Sequence, residues 1–339
     1  VRAVVYSEAG GSEVLRLVER PEPRPGPGEV RVRVHVSGVN PTDWKARRGL
    51  RGGALPFPEI VPNQDGAGVI DAVGEGVSPS RIGERVWIWE AAWERADGTA
   101  QELVALPERQ AVRLPDAASL DLGASLGIPA LTAHVCLTAA PDGPRSLEPG
   151  ALAGRTVLVA GGAGAVGHFA IQLARWAGAR VVATVSTREK AGLARAAGAD
   201  GVVHYRDEGA ADEVRSFAPD GVDLVVEVAP AVNASLDAAV IAPSGTVAVY
   251  ATDGGSGIGA DLWPLMRKNV TYRFVLVYTV PADAKERAVR DVSAAVEAGA
   301  LSVGAEAGLP LHRFPLERTA DAHDAVEAGA VGKVLIDVA

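Results

Sequence analysis

The chain has 339 residues, 48% of them hydrophobic, and a formal net charge of -9. That length supports two domains with a large core, and an acidic balance without a basic block argues against nucleic acid as the main partner. A single cysteine, Cys136, excludes an intramolecular disulfide and a thiolate-rich zinc site. The first strand pattern starts at Val1, leaving no signal peptide, and no apolar run of transmembrane length stands out. A soluble, cytoplasmic protein that does not enter a membrane is expected.

Residues 1–122 read as β-rich. Val1–Tyr6 and Val14–Glu19 are strand patterns, and the proline-rich stretch 21–28 is an extended connector. Val30, Val32, Val34 and Val36 alternate with Arg31, Arg33 and His35, predicting a strand with one buried and one wet face. Residues 38–45 form a turn into a short helix, where Asp43 is placed to cap or anchor the helix. Gly66–Gly74 and Gly83–Trp87 bring further strands, and 103–106 and 111–115 finish this part. Residues 121–134 are mostly helical, and 139–150 form a Pro/Gly-rich loop.

The chain is organised around residues 155–188. A β-branched apolar run, Arg155–Ala160, reads as a buried parallel strand. Gly161-Gly162-Ala163-Gly164-Ala165-Val166-Gly167 follows, then a helical pattern ending at Gly178 and a second strand, Arg180–Val185. Gly162, Gly164 and Gly167 fit GxGxxG, and Gly161, Gly164 and Gly167 fit GxxGxxG. Strand, glycine turn, helix and strand in this order predict a dinucleotide site, with the pyrophosphate at the helix N-terminus. The acid that normally grips a ribose 2′-hydroxyl is missing at the end of the second strand. Ser186, Thr187, Arg188 and Lys190 offer hydroxyls and positive charge instead, which suits a 2′-phosphate and hence NADPH over NADH.

Strand and helix patterns then keep alternating, with strands at 202–205, 223–228, 245–250 and 273–278 and a long helix at 282–298. This predicts an α/β fold with a doubly wound parallel sheet. Residues 301–339 hold two further strand-like runs, among them Lys333–Val338, and are expected to return to the N-terminal domain. The expected division is therefore 1–122, completed by 301–339, and 123–300.

Several short motifs occur in a fixed order: Pro27-Gly28-Glu29-Val30, Gly38-Val39-Asn40-Pro41-Thr42-Asp43, Gly66-Ala67-Gly68-Val69, Gly83-Glu84-Arg85-Val86, Pro129-Ala130-Leu131-Thr132-Ala133, the glycine turn, Ala196–Asp200, and Gly332-Lys333-Val334. In this order they resemble the medium-chain dehydrogenase/reductase superfamily over nearly the whole chain, and within it the zinc-free, zeta-crystallin-like quinone oxidoreductases. The resemblance implies a GroES-like catalytic domain joined to a Rossmann domain. It also implies hydride transfer from NADPH to a quinone or other conjugated carbonyl, and a homodimer joined through the strand at 271–278. In the zinc-containing relatives a cysteine is expected at Asn40, a histidine at Gln64 and a further cysteine near Ile128. Asparagine, glutamine and isoleucine do not assemble such a site, so no metal is expected.

The resemblance also assigns roles. Gly164, Ala165, Val166 and Gly167 would cradle the pyrophosphate, with Ser186, Arg188 and Lys190 at the 2′-phosphate and Tyr205 beside the adenine ribose. Val228, Tyr250 and Ala251 would line the strand ends, with Phe274, Val275 and Leu276 toward the nicotinamide. Thr132 would lie near the nicotinamide, and Lys333 would reach cofactor or substrate. Asn40 and Gln64 are candidates for orienting the acceptor carbonyl, against a plain role as hydrogen-bonded amides supporting the loop. His134 and His168 lack a carboxylate or cysteine at ligand spacing and read as structural, and Cys136 reads as buried. Arg51 stands where relatives carry an aromatic. Trp87, Trp89 and Trp93 either wall an aromatic acceptor or alternate between core and surface. An enoyl-thioester or alkenal reductase, and a non-enzymatic NADPH-binding protein of the crystallin type, are the competing readings.

Overall fold

The structure is a computed structural model that describes residues 1–50, 52 and 54–338; Arg51 lies outside the described residues. Two compact units emerge, one of Val1–Ile128 with Leu311–Ala339 and one of Pro129–Pro310. The expected limits at 122 and 300 fall a little before these.

In the first unit β1 (Arg2–Val5) and β2 (Arg16–Glu19) form an antiparallel pair. The long β3 (Glu29–Val39) follows, then α1 (Pro41–Arg47) and β4 (Asp65–Val73). On β3, Val30, Val32, Val34 and Val36 are buried. Arg31 faces the other way and binds Asp71 of β4 at 2.8 Å. Helix α1 starts as its sequence dictates, with Pro41 in its first turn and the Asp43 carboxylate accepting the Asn40 N–H at 2.7 Å. β5 (Arg85–Ile88), β6 (Leu103–Pro107) and β7 (Ala111–Arg113) complete the N-terminal strands.

Helix α2 (Leu120–Leu137) spans the division between units. Among the described residues it is long and apolar enough to cross a membrane, which corrects the expectation that no such stretch exists. However, 83% of that window is buried inside the protein.

The second unit alternates strictly: β8 (Thr156–Ala160), α3 (Ala165–Trp176), β9 (Arg180–Val185), α4 (Arg188–Ala196), β10 (Gly201–His204), α5 (Ala210–Phe217), β11 (Val222–Glu227), α6 (Pro230–Val240), β12 (Ile241–Val249), α7 (Leu262–Arg267), β13 (Thr271–Phe274) and α8 (Ala282–Glu297). All strand pairs are parallel, in the order β10-β9-β8-β11-β12-β13. Sheet order therefore reverses between β8 and β11, which makes their carboxyl ends the switch point where ligands bind in open sheets of this kind. Val157, Val159, Val181, Val225 and Val247 are fully buried, as expected for strands covered on both faces. The last strand is shorter than the predicted 273–278: after Phe274 the chain leaves the sheet for a single 3₁₀ turn at Val277–Thr279.

The chain then returns to the first unit through β14 (Leu311–Pro315), α9 (Thr319–Glu327) and β15 (Lys333–Asp337). The seven-stranded sheet there runs β14-β15-β3-β4-β5-β7, with β6 on β3. Strand β15 thus sits between β14 and β3, pairing antiparallel with Ser37 and Gly38 of β3.

Candidate functional site: a nucleotide cradle and a buried amide–carboxylate network

The glycine turn sits at the switch point. Gly161 adopts φ +68, a left-handed conformation that glycine accepts without cost, and its N–H and that of Gly162 both bind the Thr184 carbonyl at 3.1 Å. A Cβ on Gly161 would lie 3.2 Å from Val228 Cγ1, so the turns after β8 and β11 stand side by side. A Cβ on Gly167 would collide with the Gly161 carbonyl, whereas one on Gly164 would meet its nearest atom only at 3.4 Å. A Cβ on Gly162 would also collide, 2.8 Å from Ala183 Cβ, so both glycine spacings are used: Gly161 for the turn, Gly162 and Gly167 for close packing and Gly164 for open approach. Gly164 caps α3 without a side-chain bond, and the helix ladder begins with His168 N–H on the Gly164 carbonyl at 2.8 Å. The amides of Ala165, Val166 and Gly167 precede that bond and remain for an anion at the helix dipole's positive end. This cradle fits a dinucleotide pyrophosphate.

At the end of β9, Thr187 caps α4 by accepting the Lys190 N–H at 3.2 Å, and Lys190 Nζ donates to Ser186 Oγ at 3.3 Å. Arg188 is exposed and makes no ion pair among the described residues. Strand β10 lies alongside, with Tyr205 N–H on the Val185 carbonyl at 3.3 Å. The Arg206 guanidinium stands 5.2 Å from the centre of the Tyr205 ring. Sequence reasoning missed Arg206, whose only signal was its place one residue past Tyr205.

Val228 and Ala251 follow β11 and β12, and the Tyr250 N–H binds the Glu227 carbonyl at 3.0 Å. The Tyr250 hydroxyl is pushed well above its usual range, chiefly by burial and then by Cys136 and Glu227. Phe274, Val275 and Leu276 lie at and beyond the end of the edge strand β13, where Phe274 is 65% and Leu276 50% exposed but Val275 is buried. Thr132 is buried on α2.

In the first unit Lys333, Asn40 and Asp65 form one buried network. Lys333 Nζ donates to Asn40 Oδ1 at 2.8 Å and lies 3.5 Å from Asp65 Oδ2, while Asn40 Nδ2 donates to the same carboxylate oxygen at 2.7 Å. Asp65 Oδ1 accepts the Ile128 N–H at 2.9 Å, an approach that only a glycine at 127 permits, because a Cβ there would collide with this oxygen. Burial pushes the Asp65 carboxyl up against the pull of Lys333, and pushes the Lys333 ammonium down against the pull of Asp65 and Asp43. Asn40 is thus held by both neighbours, and Lys333 is bonded inside this unit.

Gln64 is placed differently. Its Oε1 accepts the Ala92 N–H at 3.1 Å, leaving its Nε2 donor without a partner among the described residues. It lines a cavity of about 90 Å³ together with Tyr6, Asp43, Leu55, Ile60 and Arg95. A second chain of bonds supports it from below. His323 Nε2 meets Asn63 Oδ1 at 3.0 Å, Asn63 Nδ2 donates to Ser37 Oγ at 3.0 Å, and Ser37 meets Thr99 at 2.7 Å.

Other sequence candidates resolve as follows. Trp87 on β5 and Trp89, just past its end and bonded through Nε1 to the Arg109 carbonyl at 3.2 Å, are both buried, which corrects the core-and-surface alternation expected for them; neither lines the cavity. His134 does have a carboxylate partner, distant in sequence: its Nε2 lies 2.8 Å from Asp291 Oδ2, which also accepts the Leu147 N–H at 2.8 Å. His168 binds the Ser302 carbonyl at 2.7 Å, and burial pushes it down to about 4, so it is neutral at physiological pH. Cys136 is buried, and burial pushes its thiol up, away from nucleophilic use.

Residues 26–116 match the family model described as alcohol dehydrogenase GroES-like domain, and 165–294 the one described as zinc-binding dehydrogenase. A cradle at a sheet switch point, preceded by a GroES-like domain, defines the class of medium-chain dehydrogenases and reductases. Human quinone oxidoreductase is 30% identical over 99% of this chain and 97% of its own length. A solved NAD-dependent alcohol dehydrogenase shares 29% identity with a TM-score of 0.86, covering 100% of both chains. A mycobacterial protein solved with NADPH shares 29% identity with a TM-score of 0.81, covering 99% of both. The chain belongs to the medium-chain dehydrogenase/reductase superfamily and is quinone oxidoreductase-like.

Proposed function

We propose that this protein is an NADPH-dependent reductase of quinones or other conjugated carbonyls that works without a metal. The carrying observation is the uncapped N-terminus of α3 beyond Gly161 and Gly164, flanked by the cationic ends of β9 and β10. The cofactor, when bound, supplies hydride. Ala165, Val166 and Gly167 hold its pyrophosphate through main-chain N–H groups. Ser186, Arg188 and Lys190 hold the 2′-phosphate, with Tyr205 beside the adenine ribose. Val228, Tyr250 and Ala251 line the groove, and Thr132, Phe274, Val275 and Leu276 serve its nicotinamide end. Although one similar structure is NAD-dependent, no acid stands at the end of β9 to bind a free 2′-hydroxyl, and Arg188 and Lys190, which form no ion pair among the described residues, favour the phosphate.

Gln64 Nε2, in the cavity's lining, would donate a hydrogen bond to the oxygen of a bound acceptor and stabilise the charge that oxygen gains on reduction. Asn40, bonded to Lys333 and Asp65, anchors the start of α1. Where zinc-containing relatives place metal ligands, this chain sets an amide already bonded to a lysine ammonium and a carboxylate. That donor set suits an internal cation and not zinc. A cytoplasmic homodimer paired through the exposed end of β13 completes the reading, with Phe274 and Leu276 at the contact.

The test is NADPH oxidation by chelator-treated protein with ortho- and para-quinones, enones and enoyl thioesters, plus light scattering for the dimer. Turnover that survives chelation, and falls about a hundredfold in Gln64→Leu with NADPH affinity unchanged, is expected. Absence of turnover with every acceptor, alongside tight NADPH binding, favours the non-enzymatic reading.

A further inference from the structure

Behind the groove lie two acids that hydride transfer does not use. Glu227 ends β11 and Asp237 sits on α6, 0% and 1% exposed, one helical turn beyond the Asn233 that bonds Glu227, and each acid acts on the other. Glu227 Oε1 also accepts the Ala229 N–H and, at 2.9 Å, Asn233 Nδ2. Glu227 Oε2 and Asp237 Oδ2 are buried and receive no donor from any other described residue. Ionised carboxylates are acceptors only, so these two orphaned oxygens can satisfy each other only if one member of the pair carries a proton.

Among the described residues no cation pairs with either acid. From β13 comes Tyr272, whose buried hydroxyl has no partner among the described residues and is pushed up to about 12 by burial and the two acids. From β12 comes the buried hydroxyl of Thr246, also without a partner among the described residues. Tyr250 and Asp253 follow β12. The cations packed against α6 are occupied elsewhere: Arg215 of α5 binds the Asp212 carboxylate at 3.0 Å and the Ala239 carbonyl at 2.9 Å, and Lys268 the Ala238 and Ile241 carbonyls at 2.8 and 2.7 Å. Glu227 is the charge that acts on Asp237. Two like charges in contact, buried and without a cation, do not both ionise near neutral pH.

Glu227 also organises the groove. Its side chain holds Ala229, its carbonyl holds the Tyr250 N–H, and the next carbonyl, of Val228, holds the Asp253 N–H at 3.1 Å. Both turns that flank the sheet's switch point on this side hang from it. We propose that Asp237 is a positioning residue that carries a proton at neutral pH and donates it to Glu227, latching the β11–α6 turn in the shape the dinucleotide needs. The inference rests on Val228, Tyr250 and Ala251 lining the groove. Burial and the neighbouring Glu227 raise Asp237, so the latch is complete in acid. The fold loses stability as pH climbs from the ordinary carboxyl range through the raised titration of the pair, where the latch opens.

The experiment compares wild type, Asp237→Asn and Asp237→Leu. Asparagine donates a hydrogen bond at every pH, and leucine at none. Infrared spectra in D2O read the C=O stretch of a protonated carboxyl, and NADPH fluorescence reads affinity from neutral to alkaline pH. A protonated-carboxyl band at neutral pH that vanishes in Asp237→Asn is expected. Wild-type affinity should fall with rising pH while that of Asp237→Asn stays flat, and Asp237→Leu should bind about tenfold more weakly throughout, the factor that 1.4 kcal/mol represents. No difference in the band, or the same pH profile in wild type and Asp237→Asn, overturns the proposal. If wild type binds no NADPH at any pH, the cofactor reading fails instead, and the infrared band still decides the shared proton. Should Asp237→Leu not fold, the comparison with Asp237→Asn stands by itself.

Discussion

Replacing Lys333 by methionine keeps the side chain's length and removes its charge, isolating what the ammonium does for Asp65. Asp65 is 0% exposed. After the change it retains Asn40 Nδ2 at 2.7 Å and the Ile128 N–H at 2.9 Å but no cation. Removing one member of a buried ion pair costs about 3–5 kcal/mol. The two surviving donors, and a Lys333–Asp65 separation of 3.5 Å, place Lys333→Met near the lower end, at about 3 kcal/mol. Urea unfolding followed by tryptophan fluorescence reports this unit, because Trp87 and Trp89 are buried in it. The sign of the pH dependence follows from Asp65. Its folded pKa is already raised by burial, and losing Lys333 raises it further. The variant's deficit therefore grows as pH rises above the ordinary carboxyl value and shrinks as Asp65 is protonated in acid. Adding Asp65→Asn should recover at least about 1.5 kcal/mol relative to the sum of the single changes. If the two changes simply add, within about 0.5 kcal/mol, Lys333 and Asp65 do not depend on each other and the account of this network is wrong.

Arg188→Ala and Arg206→Ala should each weaken NADPH about tenfold, the loss of one charge-assisted contact, and leave NADH unchanged; titration of both cofactors by fluorescence checks this, and equal losses would remove the 2′-phosphate argument. Gly167→Ala puts a Cβ into the Gly161 carbonyl, so cofactor binding should be lost while far-UV circular dichroism stays that of wild type. Asp291 is held below the usual carboxylate range, against its own burial, by hydrogen bonds from His134 and the Leu147 N–H. Its contribution is present above the unfolded pKa and lost as pH falls through the folded one. Asp291→Asn should therefore cost about 1–3 kcal/mol at neutral pH and progressively less in acid, read as urea midpoints across pH.

What the sequence revealed and what it hid divide along physical lines. The valines of β3, the glycine turn and the strand–helix alternation after Arg155 carry periodic or positional signals, because backbone geometry dictates them locally. The order reversal between β8 and β11 follows from that alternation. Strand β5 misled because both of its faces are covered, and period two says nothing when no side is wet. The shorter β13 was hidden because Val275 and Leu276 look as strand-like as the residues before them. The polar networks left no trace: Lys333 meets Asn40 and Asp65 across most of the chain's length, and His134 meets Asp291 across half of it. Such pairings follow from topology, which a single sequence states only indirectly. Arg206 and Asp237 were passed over for the simpler reason that exposed arginines and helical aspartates are common.

Strand β15 enters the first unit's sheet between β14 and β3, although its residues leave the ribosome after those of every other strand described. During synthesis the contiguous stretch 129–310 can assemble its own sheet while β3 still shows a bare edge and Asp65 still lacks its counter-ion. For that interval the nascent chain presents an open, valine-rich border to solvent, the kind of surface that invites strand addition from a neighbour. A frameshift or nick just ahead of Lys333 would make that interval permanent, and would be felt first as precipitation, well before any defect in turnover was measured.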